Sequence, residues 1–162
     1  MADVEFEDYS LNCKAKLNES TIAWLREAGA ELKSQVQQNS RVSTGQTKNS
    51  WHYRTDADKG EVTVGSDLEN ALWEEFGTGE YAVNGDGRKG GWYIKIGDGD
   101  NEISQAVVDS YGFKVVEGKD GTKYAYTKGK RPNRALENAF TACKEKLKAR
   151  LESILRGLDS ES

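Results

Sequence analysis

The chain has 162 residues, of which 36% are hydrophobic and 31% charged, and its net charge is −4. Four Trp, seven Tyr and four Phe supply large apolar anchors, so a folded core is expected and intrinsic disorder is excluded. Two cysteines and one histidine are too few for a disulfide framework or a tetrahedral zinc site, and no apolar run approaches the ~20 residues that span a bilayer.

The first elements in chain order are a short strand and a helix. Val4 and Phe6 alternate with acidic residues, which indicates a strand. Over residues 22–36 the apolar side chains recur every three or four positions, as on the buried face of an amphipathic helix. Leu11, Ala15 and Leu17 can extend the pattern backwards, with a break possible near Asn18.

A turn and a hairpin follow. Residues 43–45 predict a compact Ser-Thr-Gly turn. Residues 51–54 and the β-branched stretch 61–66 predict two antiparallel strands, joined by a polar turn at 56–60.

A short helix is indicated before Gly77. Ser66 and Glu69 have the spacing of a capping box, and Gly77 is placed to end the helix in the left-handed conformation. Trp73 lies roughly 120° from the centre of the apolar face, so it either faces a partner or closes the edge of the same core. The face expected to be buried consists of Leu68, Ala71, Leu72 and Phe76.

The remaining sequence predicts a glycine-rich loop, a hairpin and a long helix. Eight of the 23 residues from Gly77 to Gly99 are glycine, which is typical of a loop. Residues 113–116 and 123–127 flank an Asp-Gly turn and predict a β-hairpin. From Asn133 the apolar residues keep helical spacing for about 24 residues, a helix of roughly 36 Å.

Together these elements predict an α+β fold in a single domain, residues 1–162. A small antiparallel sheet packs against an N-terminal helix and a long C-terminal helix, and a glycine-rich β-hairpin forms an arm. The core is expected over approximately residues 11–79 and 124–158. The flexible arm is expected over approximately residues 80–123, because this stretch has too few apolar side chains for a core of its own.

No residue is predicted to be catalytic, to bind a cofactor or to ligate a metal. His52 has no G-x-S-x-G sequence or nominated nucleophile to accompany it. The glycine-rich stretch around Arg88 and Lys89 lacks the P-loop sequence and follows a helix where a strand is needed. The acids between Asp98 and Glu102 resemble the start of a calcium loop without its Gly at position six and Glu at position twelve. The prediction is a non-enzymatic assembly protein.

Charge offers two further interpretations. Residues 114–156 hold 12 basic and 5 acidic side chains, whereas the rest of the chain holds 11 and 22. Opposite potentials could fix the register of copies that meet head to tail, although solvated faces of helices and hairpins give the same totals. Tyr124 and Tyr126 among the cations could also stack on nucleic acid, but the overall negative charge weighs against this alternative.

Three segments resemble those of one protein family. RVSTGQTKNSWHYR is similar to its TG-x-x-x-x-S turn and strand, and EVTVGSDLENALWEEFGTG to its strand followed by YA-x-x-x-EFGTG. YTKGKRPNRALENAF is similar to its G-x-x-P-x-P-F-L-x-x-AF approach to the last helix, with Arg134 and Ala135 in place of Pro and Phe. The family is that of the gene-product-ten-like phage tail components, a neck or head–tail joining group, and the resemblance covers about residues 11–145.

The resemblance implies a structural virion protein at the head–tail junction of a long-tailed phage or prophage, where it completes or terminates the tail. The implied partners are its own copies in a ring of six or twelve, the head connector or stopper, and tail-tube proteins. Genome DNA would pass through the ring without specific contacts, and no membrane is implied. Residues 1–10 lack the basic and apolar regions of a signal peptide, which agrees with assembly in the host cytoplasm.

The motifs also supply the residues expected to shape the folded centre and a subunit contact, although most Gly and Thr among them are expected to serve folding. The arm and Lys128–Arg131 are expected to reach neighbouring copies. The competing functions are a small nucleic-acid-binding protein that uses the basic C-terminal region and a monomeric phage factor that targets the host. The predicted interface and motif residues are Thr44, Gly45, Ser50, Trp51, Trp73, Glu75, Phe76, Gly77, Thr78, Gly79, Lys128, Lys130, Arg131 and Pro132.

Overall fold

The structure is a computed structural model that describes residues 10–41 and 45–160, with side chains over 17–41 and 45–157. The strand predicted at Val4 and Phe6 lies outside the described residues, as do Ser43 and Thr44. The helices are α1 (Ser10–Asn39), α2 (Gln46–Ser50), α3 (Glu69–Phe76), α4 (Gln105–Tyr111) and α5 (Ala135–Ser160), with a 3₁₀ turn at Gly79–Tyr81. The strands are β1 (Trp51–Asp56), β2 (Glu61–Ser66), β3 (Trp92–Lys95), β4 (Lys114–Glu117) and β5 (Lys123–Thr127).

The α+β class with a long N-terminal and a long C-terminal helix is confirmed. The chain forms two compact units, one from residues up to Ala71 together with those from Ala135 onward, and one from residues 72–134. We call them the first and the second unit. The flexibility and the limits of the predicted arm stay predictions.

The first unit packs α1 against α5 and the β1–β2 hairpin. Much of the predicted stripes is buried: Leu32 and Val36 on α1, and Ala139, Cys143 and Leu147 on α5. Two further residues of the α5 stripe, Phe140 and Leu155, are instead 52% and 39% exposed. Ion pairs Glu31–Lys146 at 2.5 Å and Glu27–Arg150 at 3.0 Å show that the two helices are antiparallel. The helix extends back to Ser10 as the sequence allows, and the possible break near Asn18 is absent from α1.

The predicted hairpin is confirmed. Its register runs from Trp51 opposite Ser66 to Asp56 opposite Glu61. It approaches α1 closely at Gly29, where a Cβ would lie 2.7 Å from a methyl carbon of Val62. A small residue at this point therefore permits the contact between helix and hairpin.

The second unit contains a three-stranded antiparallel sheet of order β3-β5-β4. The predicted β4–β5 hairpin is confirmed, with Lys114 opposite Tyr126 and Glu117 opposite Lys123. Strand β3 was not predicted; it pairs Trp92 with Thr127 and so makes the hairpin part of a larger sheet. None of the described helices is both long enough and apolar enough to cross a membrane.

Candidate assembly site

A loop at the end of α3 lies against a basic segment of the same unit. We name residues 75–79 the EFGTG loop and residues 128–132 the basic segment. The N–H of Thr78 donates to the Lys130 carbonyl at 2.9 Å, and the N–H of Glu80 donates to the Lys128 carbonyl at 2.8 Å. The Thr78 hydroxyl accepts a hydrogen bond from the Lys130 N–H at 2.9 Å. Backbone pairing thus joins two sequence motifs that are 52 residues apart.

Gly77 ends α3 in the left-handed conformation, as the sequence predicts. Its φ is +72°, and its N–H donates to the Trp73 carbonyl at 2.9 Å. A Cβ at this position would lie 2.8 Å from the Lys130 carbonyl oxygen and 2.9 Å from Cδ of Pro132. Both the positive φ and the close approach of the basic segment require glycine here.

Two ion pairs connect the cations of the basic segment to acids of the same unit. Lys130 Nζ pairs with Glu74, which is buried with 8% exposure. Lys128 Nζ lies 3.4 Å from the Glu80 carboxylate, and this acid raises the pKa of Lys128. The Glu74 pair is the more protected of the two, since both side chains are at least three-quarters buried.

Aromatic rings contact two cations of the basic segment. The Arg131 guanidinium lies over the Tyr81 ring, 4.7 Å from its centre, and Lys130 Nζ lies 5.6 Å from the centre of the Tyr111 ring. Glu75 is also buried, with 8% exposure. The structure therefore brings the EFGTG loop and the basic segment together, and contact of Lys128–Arg131 with neighbouring copies stays a prediction.

An apolar surface lies on α3 and on the residues just after it. Leu72 is 56% exposed, and Trp73, Phe76 and Val83 are each 44% exposed. Phe76 is three and four positions from Trp73 and Leu72, so the three side chains share one side of the helix; the Val83 N–H donates to the Phe76 carbonyl at 2.9 Å. The burial predicted for Leu72 and Phe76 is wrong, while Ala71 is buried as predicted. We call these four residues the α3 patch.

The other motif residues stabilise the first unit. Trp51 is 5% exposed and its Nε1–H donates to the Ser40 hydroxyl at 3.0 Å. The hydroxyl of Ser50 is 2.6 Å from that of Ser66. Gly45 has a φ of +75°, and its carbonyl accepts the first hydrogen bond of α2. These contacts show that Trp51, Ser50 and Gly45 serve the folding of the first unit, and a contact of this motif with a neighbouring copy stays a prediction.

For His52 and Glu102 the sequence predicts no catalytic or metal-binding role, and the structure shows the following contacts. His52 is exposed, and its Nε2 lies 4.0 Å from the Asp67 carboxylate. The Glu102 carboxylate accepts from Lys95 at 2.6 Å and from the Gly99 N–H at 3.0 Å. Lys95 and this backbone bond lower the pKa of Glu102. Within the part of the chain that the structure describes, no three His, Cys, Asp or Glu side chains are grouped to hold a metal ion.

Comparison with known proteins supports the family indicated by the motifs. Residues 9–77 match the model of a family described as "Bacteriophage HK97-gp10, putative tail-component". This range contains the first motif and the second motif up to Gly77, including the EFG of the EFGTG loop, and it confirms the resemblance there. No curated protein and no solved structure matches the chain significantly. The matched family is one of phage tail components, which supports a structural role in a phage tail.

Proposed function

We propose, from this family match, that the chain forms a ring at the head–tail junction of a phage and completes the tail there. The ring contains six or twelve copies and docks between the head connector or stopper and the tail-tube proteins. Each copy contacts the next through two different surfaces, because a ring needs a heterologous interface that closes. The chain works as a virion part without catalytic activity.

The α3 patch is the observation that carries this proposal. Exposed apolar groups that adjoin one another on a folded protein mark surfaces that are covered in an assembly. Three of its four side chains lie within the residues that match the tail-component family, and one of them is a Trp, a residue type enriched in interface anchors. The backbone pairing of the EFGTG loop with the basic segment holds the end of α3 in place beside the patch.

The pairing of the cations weighs against the nucleic-acid alternative. Lys128 and Lys130 each face an acid of the same unit, and Arg131 faces a tyrosine ring. On α5, Lys146 and Arg150 pair with acids of α1. Cations that are neutralised within the chain release fewer counterions from a phosphate backbone and so bind it weakly.

The direct test is head–tail joining with purified phage parts. Heads and tails that lack this protein are mixed with the wild-type chain or with the variant Trp73→Lys, and joined particles are counted by electron microscopy. Wild-type protein should restore joining, and Trp73→Lys should lower it at least about tenfold, because a charge in the patch opposes burial at the contact.

The matched control is Tyr93→Lys, which places the same charge at an aromatic side chain of the same unit that is 60% exposed and lies outside the patch. This control should join heads and tails as well as the wild-type chain does. Equal joining by all three proteins would rule out the α3 patch, and joining without any added protein would rule out the proposed role.

A further inference from the structure

An apolar groove of about 520 Å³ crosses the first unit between α1, β2 and α5. Trp24 and Leu32 line it from α1, Val64 from β2 and Phe140 from α5, all by side chains without charge. Phe140 is 52% exposed although it follows directly after Ala139, which is fully buried. The groove is therefore an open extension of the core rather than a closed cavity.

Two cations, Lys144 and Lys148, edge this groove. Both side chains are exposed, and neither has an acidic partner among the described residues. Their neighbours Lys146 and Arg150 differ, since each pairs with an acid of α1. An occupant that combines apolar side chains with negative charge would complement both parts of the groove.

Residues 1–9 have this combination. The segment MADVEFEDY contains four acids and no basic side chain. In a strand-like conformation Val4 and Phe6 would point to one side and Glu5 and Glu7 to the other. The apolar side matches the floor of the groove, and the acidic side matches its lysines.

Chain length decides which copy supplies the segment. Phe6 is four residues from Ser10, where α1 begins, and four residues span at most about 14 Å. Along the helix, Trp24 is about 21 Å and Leu32 about 33 Å from Ser10, at 1.5 Å per residue. Cys143 packs with Leu32, and Phe140 lies one turn beyond Cys143 on the antiparallel helix α5. Phe6 therefore cannot reach the space between Trp24 and Phe140 in its own copy, whereas the segment of another copy has no such restriction.

We propose that residues 1–9 of one copy bind in the groove of a second copy. Phe6 enters between Trp24 and Phe140, and Glu5 and Glu7 face Lys144 and Lys148. This inference rests on the proposed self-assembly and names one of its contacts. Because the donor segment and the acceptor groove are different surfaces, the contact is heterologous and can propagate around a ring.

The test measures binding of a fluorescent peptide with the sequence of residues 1–9 by fluorescence anisotropy. The receptor is the full-length variant Phe6→Ala, which keeps the groove and loses the proposed anchor of its own segment. The peptide should bind this receptor. It should bind at least about tenfold more weakly when the receptor also carries Lys144→Glu and Lys148→Glu. A peptide with Glu5→Lys and Glu7→Lys should recover the loss, which a folding defect of the receptor could not produce.

Three results would overturn the inference. One is no binding of the peptide to Phe6→Ala at concentrations up to about 1 mM. The second is binding that the charge reversal in the receptor leaves unchanged. The third is that the wild-type chain is monomeric by light scattering and does not bind the peptide, although the Phe6→Ala variant does. In that case the groove would be filled by the segment of the same copy. If rings form but the peptide does not bind, only the contact between segment and groove is contradicted. If the peptide binds but no ring forms, only the proposed ring is contradicted.

Discussion

The first unit buries apolar side chains between two helices and a hairpin, whereas the second unit is held largely by backbone pairing, glycines and charged contacts. Ten of the twelve buried hydrophobic residues described belong to the first unit, and only Val108 and Ala125 belong to the second. The second unit instead contains the EFGTG loop, the basic segment and three cation–ring contacts. Mutations should therefore destabilise the first unit by removing buried packing contacts. They should destabilise the second unit by disturbing its backbone conformation or by removing an ion pair.

The largest expected effect is on the core of the first unit. Trp51→Ala removes a side chain that is 5% exposed and also its hydrogen bond to Ser40. The free energy of unfolding, measured in urea, should decrease by about 3–5 kcal/mol. Trp73→Ala is the matched control, because this Trp is 44% exposed and its loss should cost no more than about 1 kcal/mol. Equal costs would contradict the assignment of Trp51 to the core and Trp73 to the surface.

The next effect concerns the ion pair of the second unit. Lys130→Met leaves the buried Glu74 carboxylate without its lysine, which should lower the free energy of unfolding by about 2 kcal/mol. The control Lys128→Met removes an ion pair at the surface, and we expect almost no change. If both variants lose the same free energy of unfolding, the buried and the exposed ion pair contribute equally to stability, which would contradict this expectation. Thermal unfolding followed by circular dichroism measures both.

The close approach at Gly77 should have a smaller effect. Gly77→Ala combines a positive φ with a contact to the Lys130 carbonyl, and Gly85→Ala has the same φ of +72° with no atom within 4 Å of the added Cβ. Both should destabilise the chain by about 1 kcal/mol for the left-handed backbone. Gly77→Ala should cost about 1 kcal/mol more, because the basic segment must move. Thermal unfolding of both variants measures this difference. Equal losses of stability would contradict the close approach of the basic segment to Gly77.

The smallest effect is the pH dependence contributed by Cys143. Burial, and then the charge of Glu31, raise the pKa of this thiol above its ordinary value of 9.0. The folded chain holds the thiol proton to higher pH than the unfolded chain does, so stability should decrease slightly as the pH rises above 9. In a Cys13→Ser background, Cys143→Ala should remove this slope. A slope that is the same with and without Cys143 would show that the thiol is not the cause.

These expectations also show what the sequence could predict. The stripes at Leu32 and Val36 on α1 and at Ala139 and Cys143 on α5 are regular patterns within one helix, so periodicity identified them. The β1–β2 and β4–β5 hairpins were predicted because their turn residues lie between β-branched or aromatic runs. Local patterns of this kind need no knowledge of distant contacts.

The contacts that the sequence analysis missed are between distant segments. β3 at Trp92–Lys95 is short and lies among glycines, and only its pairing with β5 makes it a strand. The partners of Lys128 and Lys130, Glu80 and Glu74, are 48 and 56 residues away, so neither charge pattern nor spacing indicated them. Leu72 and Phe76 share the helical face of Ala71 by spacing, but the core does not extend to them.

The central claim is that copies of this chain assemble into a ring, and the mass of the assembled species tests it most directly. Native mass spectrometry would be applied to the full-length chain, alone and mixed with tail-tube and head-connector proteins of the same phage. We predict a species of six or twelve copies, formed alone or on addition of a partner, that is lost in Trp73→Lys and kept in Tyr93→Lys. A single copy in every mixture would contradict the account.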